Sequence, residues 1–288
     1  MTAFGQRLLV GNVPPDESEQ RGRSGVEPSS ACYQGQLRAV PGNSRSLWHD
    51  CHYDSPMILC TRQKGALMPV PIATRIRRSL SEPGNPKSMS ARARNRRWAE
   101  LLTRFPELPH MRVLDLGGLP GFWRAATERP ASVTTVNIEP ADADETWITH
   151  CVDDACAPGT GLRRERFDLV VSNSLLEHVG GYERRRRLAD VVHAAAGAHW
   201  VQTPYRYFPI EPHWLAPGWQ FLPVPARAAV LRHWPLSHGR PGTRQEALDA
   251  VLATELVSVS ELSLLFPSSE IWRERFVGLT KSLVAVRS

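Results

Sequence analysis

No uninterrupted apolar run of about 18 residues, the length a membrane-spanning helix needs, occurs in the 288 residues. The opening MTAFGQRLLVGNVPPDE turns polar too soon for a secretory signal. These two absences predict a chain with no membrane span, acting in the cytoplasm. Cysteine is sparse and badly arranged for cross-linking. Five residues, Cys32, Cys51, Cys60, Cys151 and Cys156, are an odd number scattered over a long chain, so reduced thiols are expected rather than a disulfide framework. Cys51-His52 with Cys32 and Cys60 has no C-x-x-C spacing, which excludes the common zinc fingers, and no metal site is expected. Aromatics interleaved with basic residues, the platform for single-stranded nucleic acid, are also missing. Lys and Arg number 35 against 29 Asp and Glu, a net charge of only +6. Most of that excess sits in two short arginine runs that read as solvated helix faces, so a nucleic-acid partner is not expected.

Enough is present to build a large core: 42% of the residues are apolar. Residues 1–87 show neither a period of 2 nor of 3.6 and carry turn formers at Pro14-Pro15, Pro41-Gly42 and Pro83-Gly84, so they read as an extension with little structure of its own. Order is expected from Ser88 or Ser90, either of which suits the N-cap of ARARNRRWAELLTRF. Trp98, Leu101, Leu102 and Phe105 recur at helical spacing, and Pro106 ends the helix.

The stretch Arg112–Trp123, RVLDLGGLPGFW, organises the rest of the chain. A strand Val113–Leu116 containing Asp115 breaks at Gly117-Gly118 and passes into a helix-compatible segment, Gly121 to Glu128. A second strand, Val133–Ile138, ends on Glu139. That is the distance at which a carboxylate accepts ribose hydroxyls after a glycine turn. ITHCVDDA sets Asp153-Asp154 after a third apolar run, and FDLVVSNSLLEH gives a buried strand, Phe167–Val171, ending in Ser172-Asn173. Polar residues at successive strand ends point to the carboxyl edge of one α/β sheet, where such sheets bind ligands.

Downstream, a helix from Glu183 to about Ala196 opens with ERRRR, and His199–Gln202 reads as a fifth strand. Residues 203–225, TPYRYFPIEPHWLAPGWQFLPVP, are too rich in proline for a helix or a central strand. Two readings fit: a packed Ω-like loop, or an acceptor-side lid presenting Tyr205, Arg206, Glu211, His213 and Trp214. Thr243 and Glu246 form a capping box, Ser260–Phe266 a short helix, and EIWRERFVG with KSLVAVRS two strands joined across Leu279-Thr280. His178 and His213 are the candidate proton acceptors, because an imidazole with a pKa of about 6.5 takes a proton near neutrality.

Taken together, VLDLGG, VTTVNIE, VDDA and FDLVVSNSLLEHV resemble the successive motifs of class I S-adenosylmethionine-dependent methyltransferases, and the resemblance runs over residues 88–288. It implies a doubly wound, mostly parallel seven-stranded α/β sheet of the Rossmann-like kind with an antiparallel C-terminal strand pair. It also implies S-adenosylmethionine as cofactor. Asp115 would then bind it, Gly117 and Gly118 would line its amino-acid and sulfonium end, and Glu139 would bind the ribose. Asp154 with Ala155 would contact the adenine, with Asp153 the competing choice, and Ser172 or Asn173 would sit under the sulfonium and acceptor. The family's acidic-x-Gly-x-Gly-x-Gly pattern is broken here by Leu119 at the middle glycine, followed by Pro120. The activity implied is methyl transfer to a small-molecule, sugar or lipid-type acceptor. The rival is a non-catalytic binding module for RNA or a protein. A nicotinamide enzyme is disfavoured, since GGLPGFW does not provide the G-x-G-x-x-G pattern of that fingerprint.

Overall fold

The computed structural model describes residues 88–237 and 241–288, so the extension expected over 1–87 lies outside the described residues. Helix α1 (Met89–Arg104) starts where Ser88 Oγ accepts the Ala91 N–H at 3.1 Å, making Ser88 the cap rather than Ser90. Its apolar stripe seats Leu101 and Phe105, flanked by Trp98 and Leu102, on Val113, Val133, Leu169 and Val284 of the sheet.

The sheet has seven strands: β1 (Arg112–Leu116), β2 (Ser132–Asn137), β3 (Ile148–Val152), β4 (Leu169–Asn173), β5 (Ala198–Pro204), β8 (Glu270–Phe276) and β9 (Leu279–Arg287), in the order β3-β2-β1-β4-β5-β9-β8. β1 pairs in parallel with β2 and β4, and β9 runs antiparallel between β5 and β8. This is the α/β architecture expected from the motifs. Val113, Leu114 and Leu116 of β1 are buried because both faces are covered, which is why the strand reads as an apolar run rather than an alternation. The face opposite α1 packs α4 (Gly181–Ala195) and α7 (Val259–Leu265) through Leu188, Val192, Leu262 and Phe266.

Several boundaries differ from expectation for local reasons. α2 (Pro120–Arg124) is shorter than Gly121–Glu128, and Arg124 at its end pairs with Glu145. β2 stops before Ile138, which is exposed, because the Asn137 side chain donates to Gly117 O at 2.8 Å and accepts the Glu139 N–H at 3.1 Å, turning the chain out of the strand. The C-terminal hairpin turns at Val277-Gly278, not Leu279-Thr280. Both turn residues have positive φ, 48° and 80°, as a two-residue hairpin loop requires. The Thr243–Glu246 capping box opens α6 (Arg244–Leu252) as read, and the last helix, α7, is capped by Ser258. A short α3 (Thr160–Arg164) precedes β4.

The run ERRRR is not simply a solvated helix start. Arg185 is buried, donating from Nε to Glu261 at 2.6 Å and from Nη1 to Glu255 at 2.7 Å, while Arg186 and Arg187 remain outside and pair with Glu183.

The proline-rich segment is an ordered piece of architecture. It makes a small hairpin of β6 (Ile210–Glu211) and β7 (Ala216–Pro217), a tight turn at Trp219–Phe221, and leads into α5 (Val224–Leu231). Ala216, Trp219, Ala228 and Leu231 pack on Ala247 and Val251 of α6 as a separate small core. Among the described residues no helix is long and apolar enough to cross a membrane.

Candidate functional site

At the carboxyl edge of the sheet the ends of β1 and β4, α1 and the turn between β6 and β7 enclose a cavity of about 320 Å³. Asp115, next to the last residue of β1, has 2% exposure. Its Oδ2 accepts the Trp123 indole N–H at 2.8 Å, whereas its Oδ1 is buried with no partner among the described residues. Burial pushes its carboxyl up to about 7, against the lowering effect of the indole bond.

The two glycines are demanded by the chain itself. Gly117 has φ +85°, and a Cβ there would meet Leu175 at 2.9 Å; a Cβ on Gly118 would stand 1.8 Å from Asp115 Oδ2. Gly118 is therefore what lets the buried carboxylate fold against the turn. Leu119 needs no such freedom. It caps α2 with extended backbone, and Pro120 occupies the first turn, where a missing N–H costs no helical bond.

On the other side of the cavity β4 ends at Asn173, and Ser174 takes φ 53°. It is held there by its N–H to Gln202 O at 3.0 Å and its Oγ to Gln202 Oε1 at 3.0 Å. This turn delivers Glu177, which is fully buried, and His178 beside it. Glu177 Oε2 accepts the Thr203 hydroxyl at 2.9 Å; its Oε1 has no hydrogen-bond partner among the described residues and stands 4.0 Å from His178 Nε2. His213 arrives from the β6–β7 turn, its ring edge-on to His178 with centroids 4.9 Å apart. The Nδ1 of His213 lies 2.6 Å from Glu211 Oε1, and Glu211 Oε2 accepts the Trp214 N–H at 2.8 Å. Burial alone lowers the His213 pKa, but the neighbouring Glu211 and Glu177 carboxylates outweigh it and the net direction is upward. One ligand atom each from Glu177, His178 and His213 lie within 4.8 Å of one another.

Of the residues singled out in the sequence, Asp115, Gly117, Gly118, Asn173, His178 and His213 border this one cavity. Ser172 does not: it is buried, and its hydroxyl donates to Leu116 O at 2.9 Å, tying β4 to β1. Glu139 is half-buried just beyond the end of β2, with its carbonyl 2.8 Å from His150 Nε2. Asp153 accepts the N–H groups of Asp154 and Gly159 at 2.8 and 2.7 Å. Asp154 accepts Arg184 Nη2 at 2.8 and 2.9 Å and the Cys156 N–H at 2.9 Å. Both carboxylates thus close the loop after β3, and Ala155 is buried in the core. Arg206, Glu211 and Trp214 border a second cavity of about 310 Å³, and Tyr205 pairs with Val257 beside β5.

Sequence reasoning missed Glu177, although it adjoins His178 in LLEH. It also missed Arg94, Arg97 and Lys281, which give the first cavity a basic rim. The signal for the two arginines was the arginine-rich first half of α1, which read as a solvent face. Lys281 is held below the usual lysine range by burial, partly countered by Glu274.

A doubly wound sheet with a ligand cavity at the ends of its first and fourth strands, floored by a glycine turn, is the class of protein these features define. Residues 90–218 match the model of a family described as methyltransferase domain. No curated protein matches the chain. Similar solved structures include the N-methyltransferase NodS from Bradyrhizobium japonicum WM9, 12% identical over 68% of this chain and 95% of that one, TM-score 0.40. Another is magnesium protoporphyrin IX methyltransferase (ChlM) from Synechocystis PCC 6803 with bound SAH, 14% identical over 75% and 93%, TM-score 0.43. A third is an S-adenosylmethionine-dependent methyltransferase from Mesorhizobium loti, 20% identical over 66% and 97%, TM-score 0.43.

Proposed function

We propose that the chain transfers a methyl group from S-adenosylmethionine to a small-molecule acceptor held in the cavity between α1 and the β6–β7 turn. The observation that carries this reading is Asp115: a buried carboxylate oxygen without a partner among the described residues, beside the Gly117-Gly118 turn. An unsatisfied buried acceptor costs roughly 1–3 kcal/mol or more, and the ammonium of the cofactor's amino-acid end is the donor that suits it. The basic rim of Arg94 and Lys281 suits the adjoining carboxylate. Glu139 would hold the ribose. The loop closed by Asp153 and Asp154 would flank the adenine through its backbone, since both carboxylates are already engaged.

When bound, the cofactor supplies an activated methyl group for in-line displacement. The chain's own contribution is alignment and exclusion of water, and positioning of this kind supplies up to about 7–11 kcal/mol. Trp98, Leu101, Phe122 and Trp200 give the cavity apolar walls, and Asn173, His178 and His213 add polar groups to its lining. A cavity of about 320 Å³ with that division suits a compact acceptor bearing one polar reacting group. His178 and His213 face that group. The cytoplasmic placement belongs to this proposal and rests on the scattered cysteines.

Calorimetric titration of S-adenosylmethionine, S-adenosylhomocysteine and NADH into the chain tests the reading. Micromolar binding of the two sulfur compounds alone is expected, and Glu139→Ala weakens it by about tenfold or more, the loss of a charged hydrogen bond. A folded chain that binds neither, but binds RNA in a salt-sensitive way, is instead a binding module.

A further inference from the structure

We propose that Glu177, His178 and His213 form a binding site for a divalent transition-metal ion at the acceptor end of the cavity. The two histidines border the cavity and the glutamate lies behind them, fully buried. Thr203 fixes Glu177 Oε2 at 2.9 Å, leaving Oε1, buried and without a hydrogen-bond partner among the described residues, 4.0 Å from His178 Nε2. A cation among the three side chains is what this oxygen lacks.

His213 is prepared as a ligand. Its Nδ1 is 2.6 Å from Glu211 Oε1, which fixes the tautomer with the proton on Nδ1 and leaves Nε2 to donate its lone pair. This carboxylate–histidine arrangement is the usual support of a metal-bound imidazole. Glu211 is in turn anchored by the Trp214 N–H at 2.8 Å. One ligand atom from each of the three residues lies within 4.8 Å of the others. An ion bonded at about 2.0–2.2 Å therefore draws the imidazoles inward from their present positions.

Two imidazoles with one carboxylate favour zinc, manganese, iron or cobalt over magnesium and calcium, which prefer all-oxygen cages. Three protein ligands leave at least one position open, as in catalytic rather than structural sites. The assignment rests on the methyl-transfer reading and deepens it: it narrows the acceptor to a molecule whose oxygen donors, a hydroxyl or a carboxylate, can complete the coordination. The histidines then act as ligands that place the acceptor, rather than as direct proton acceptors.

The test is titration of the full chain, freed of metal with a chelator, with Co²⁺ as the probe, followed by its visible ligand-field absorption and by competition with Zn²⁺. One equivalent per chain is expected. Glu211→Gln should lower affinity by about 10–100-fold, as loss of an outer-sphere partner does, and Glu177→Gln and His213→Gln should lower it at least as much. Because Glu177 is buried, His178→Asn is compared alongside as a substitution at the cavity face. Absence of stoichiometric binding in a folded chain, or equal binding in the His178, His213 and Glu177 variants, overturns the proposal. S-adenosylmethionine titrated into the same samples separates the two readings. Cofactor binding without Co²⁺ binding removes only the metal site, and Co²⁺ binding without cofactor binding removes only the methyl-transfer reading.

Discussion

Asp115 and Glu177 stand at the ends of neighbouring stretches of the sheet, one near the end of β1 and one after β4, and both are buried carboxylates with one oxygen bonded and one without a hydrogen-bond partner among the described residues. Burial pushes both acids up, Asp115 to about 7 and Glu177 in the same direction. Their surroundings differ. Asp115 is wedged between an indole and a bare glycine, all within one short motif. Glu177 looks toward two histidines, and one of them comes from a separate hairpin. The first is a fixed socket wanting a donor. The second is an assembly of groups from distant parts of the chain, wanting a cation.

The most severe challenge to the Asp115 half is Gly118→Ala. Its methyl would need the space now held by Asp115 Oδ2, only 1.8 Å away, and overpacking of that kind costs about 3 kcal/mol or more. Urea denaturation checks it, and an unchanged midpoint would show that the carboxylate is not locked in place.

Next, Asp115→Asn is expected to weaken S-adenosylmethionine by about tenfold or more, whereas Glu177→Gln leaves that affinity nearly unchanged while removing turnover. Calorimetry and a methyl-transfer assay on both variants distinguish the two acids. Equal losses of cofactor affinity would erase the distinction.

A third test uses pH. With an ordinary value of 3.8 and a folded value of about 7 for Asp115, the folded chain holds this proton more tightly than the unfolded one. The contribution to stability is complete below about pH 4 and is lost as pH rises through 7. Asp115→Asn should therefore flatten the stability profile between about pH 4 and 7. His199 slopes the other way. Burial, with His193 adding to it, lowers its pKa to about 4 from 6.5, so its destabilising effect is absent above about pH 6.5 and grows as pH falls toward 4. Unfolding curves across that range, with His199→Phe as the control, resolve the two.

The smallest effect belongs to Arg184→Ala. Its pair with Asp154 is well exposed, 44% and 39% for the two side chains, and such pairs are worth under about 1 kcal/mol.

The features legible in the sequence are those that local pattern determines. The glycine turn, the capping box at Thr243 and Glu246, the α1 stripe and the buried strands all come from spacing over a few residues, and the seven-stranded sheet from the motifs taken together. The sequence was silent where distant segments meet. ERRRR carries no mark that Arg185 alone turns inward, because Glu255 and Glu261, which receive it, lie 70 and 76 positions later. Nor does LLEH show that His213 will stand edge-on to His178, since that contact depends on the β6–β7 turn. The glycine motif was legible as a turn, but its reason was partly misplaced: Gly118 makes room for Asp115 as well as bordering the cavity.

The outermost strand of the sheet, β8, is tied down by its neighbour α1. Arg104 takes Glu270 at 2.6 and 2.9 Å, Arg97 takes Glu274 at 2.8 Å, and Arg96 donates to Arg275 O at 3.3 Å. One helix therefore laces the strand along its length, and the strand itself carries Glu270, Arg273, Glu274 and Arg275. An open β-edge is a template on which another chain can continue the sheet, and charged, tethered edges resist that. The arginines of α1, which read in the bare sequence as a solvated helix face, tether and charge this edge, a combination that disfavours edge-to-edge pairing.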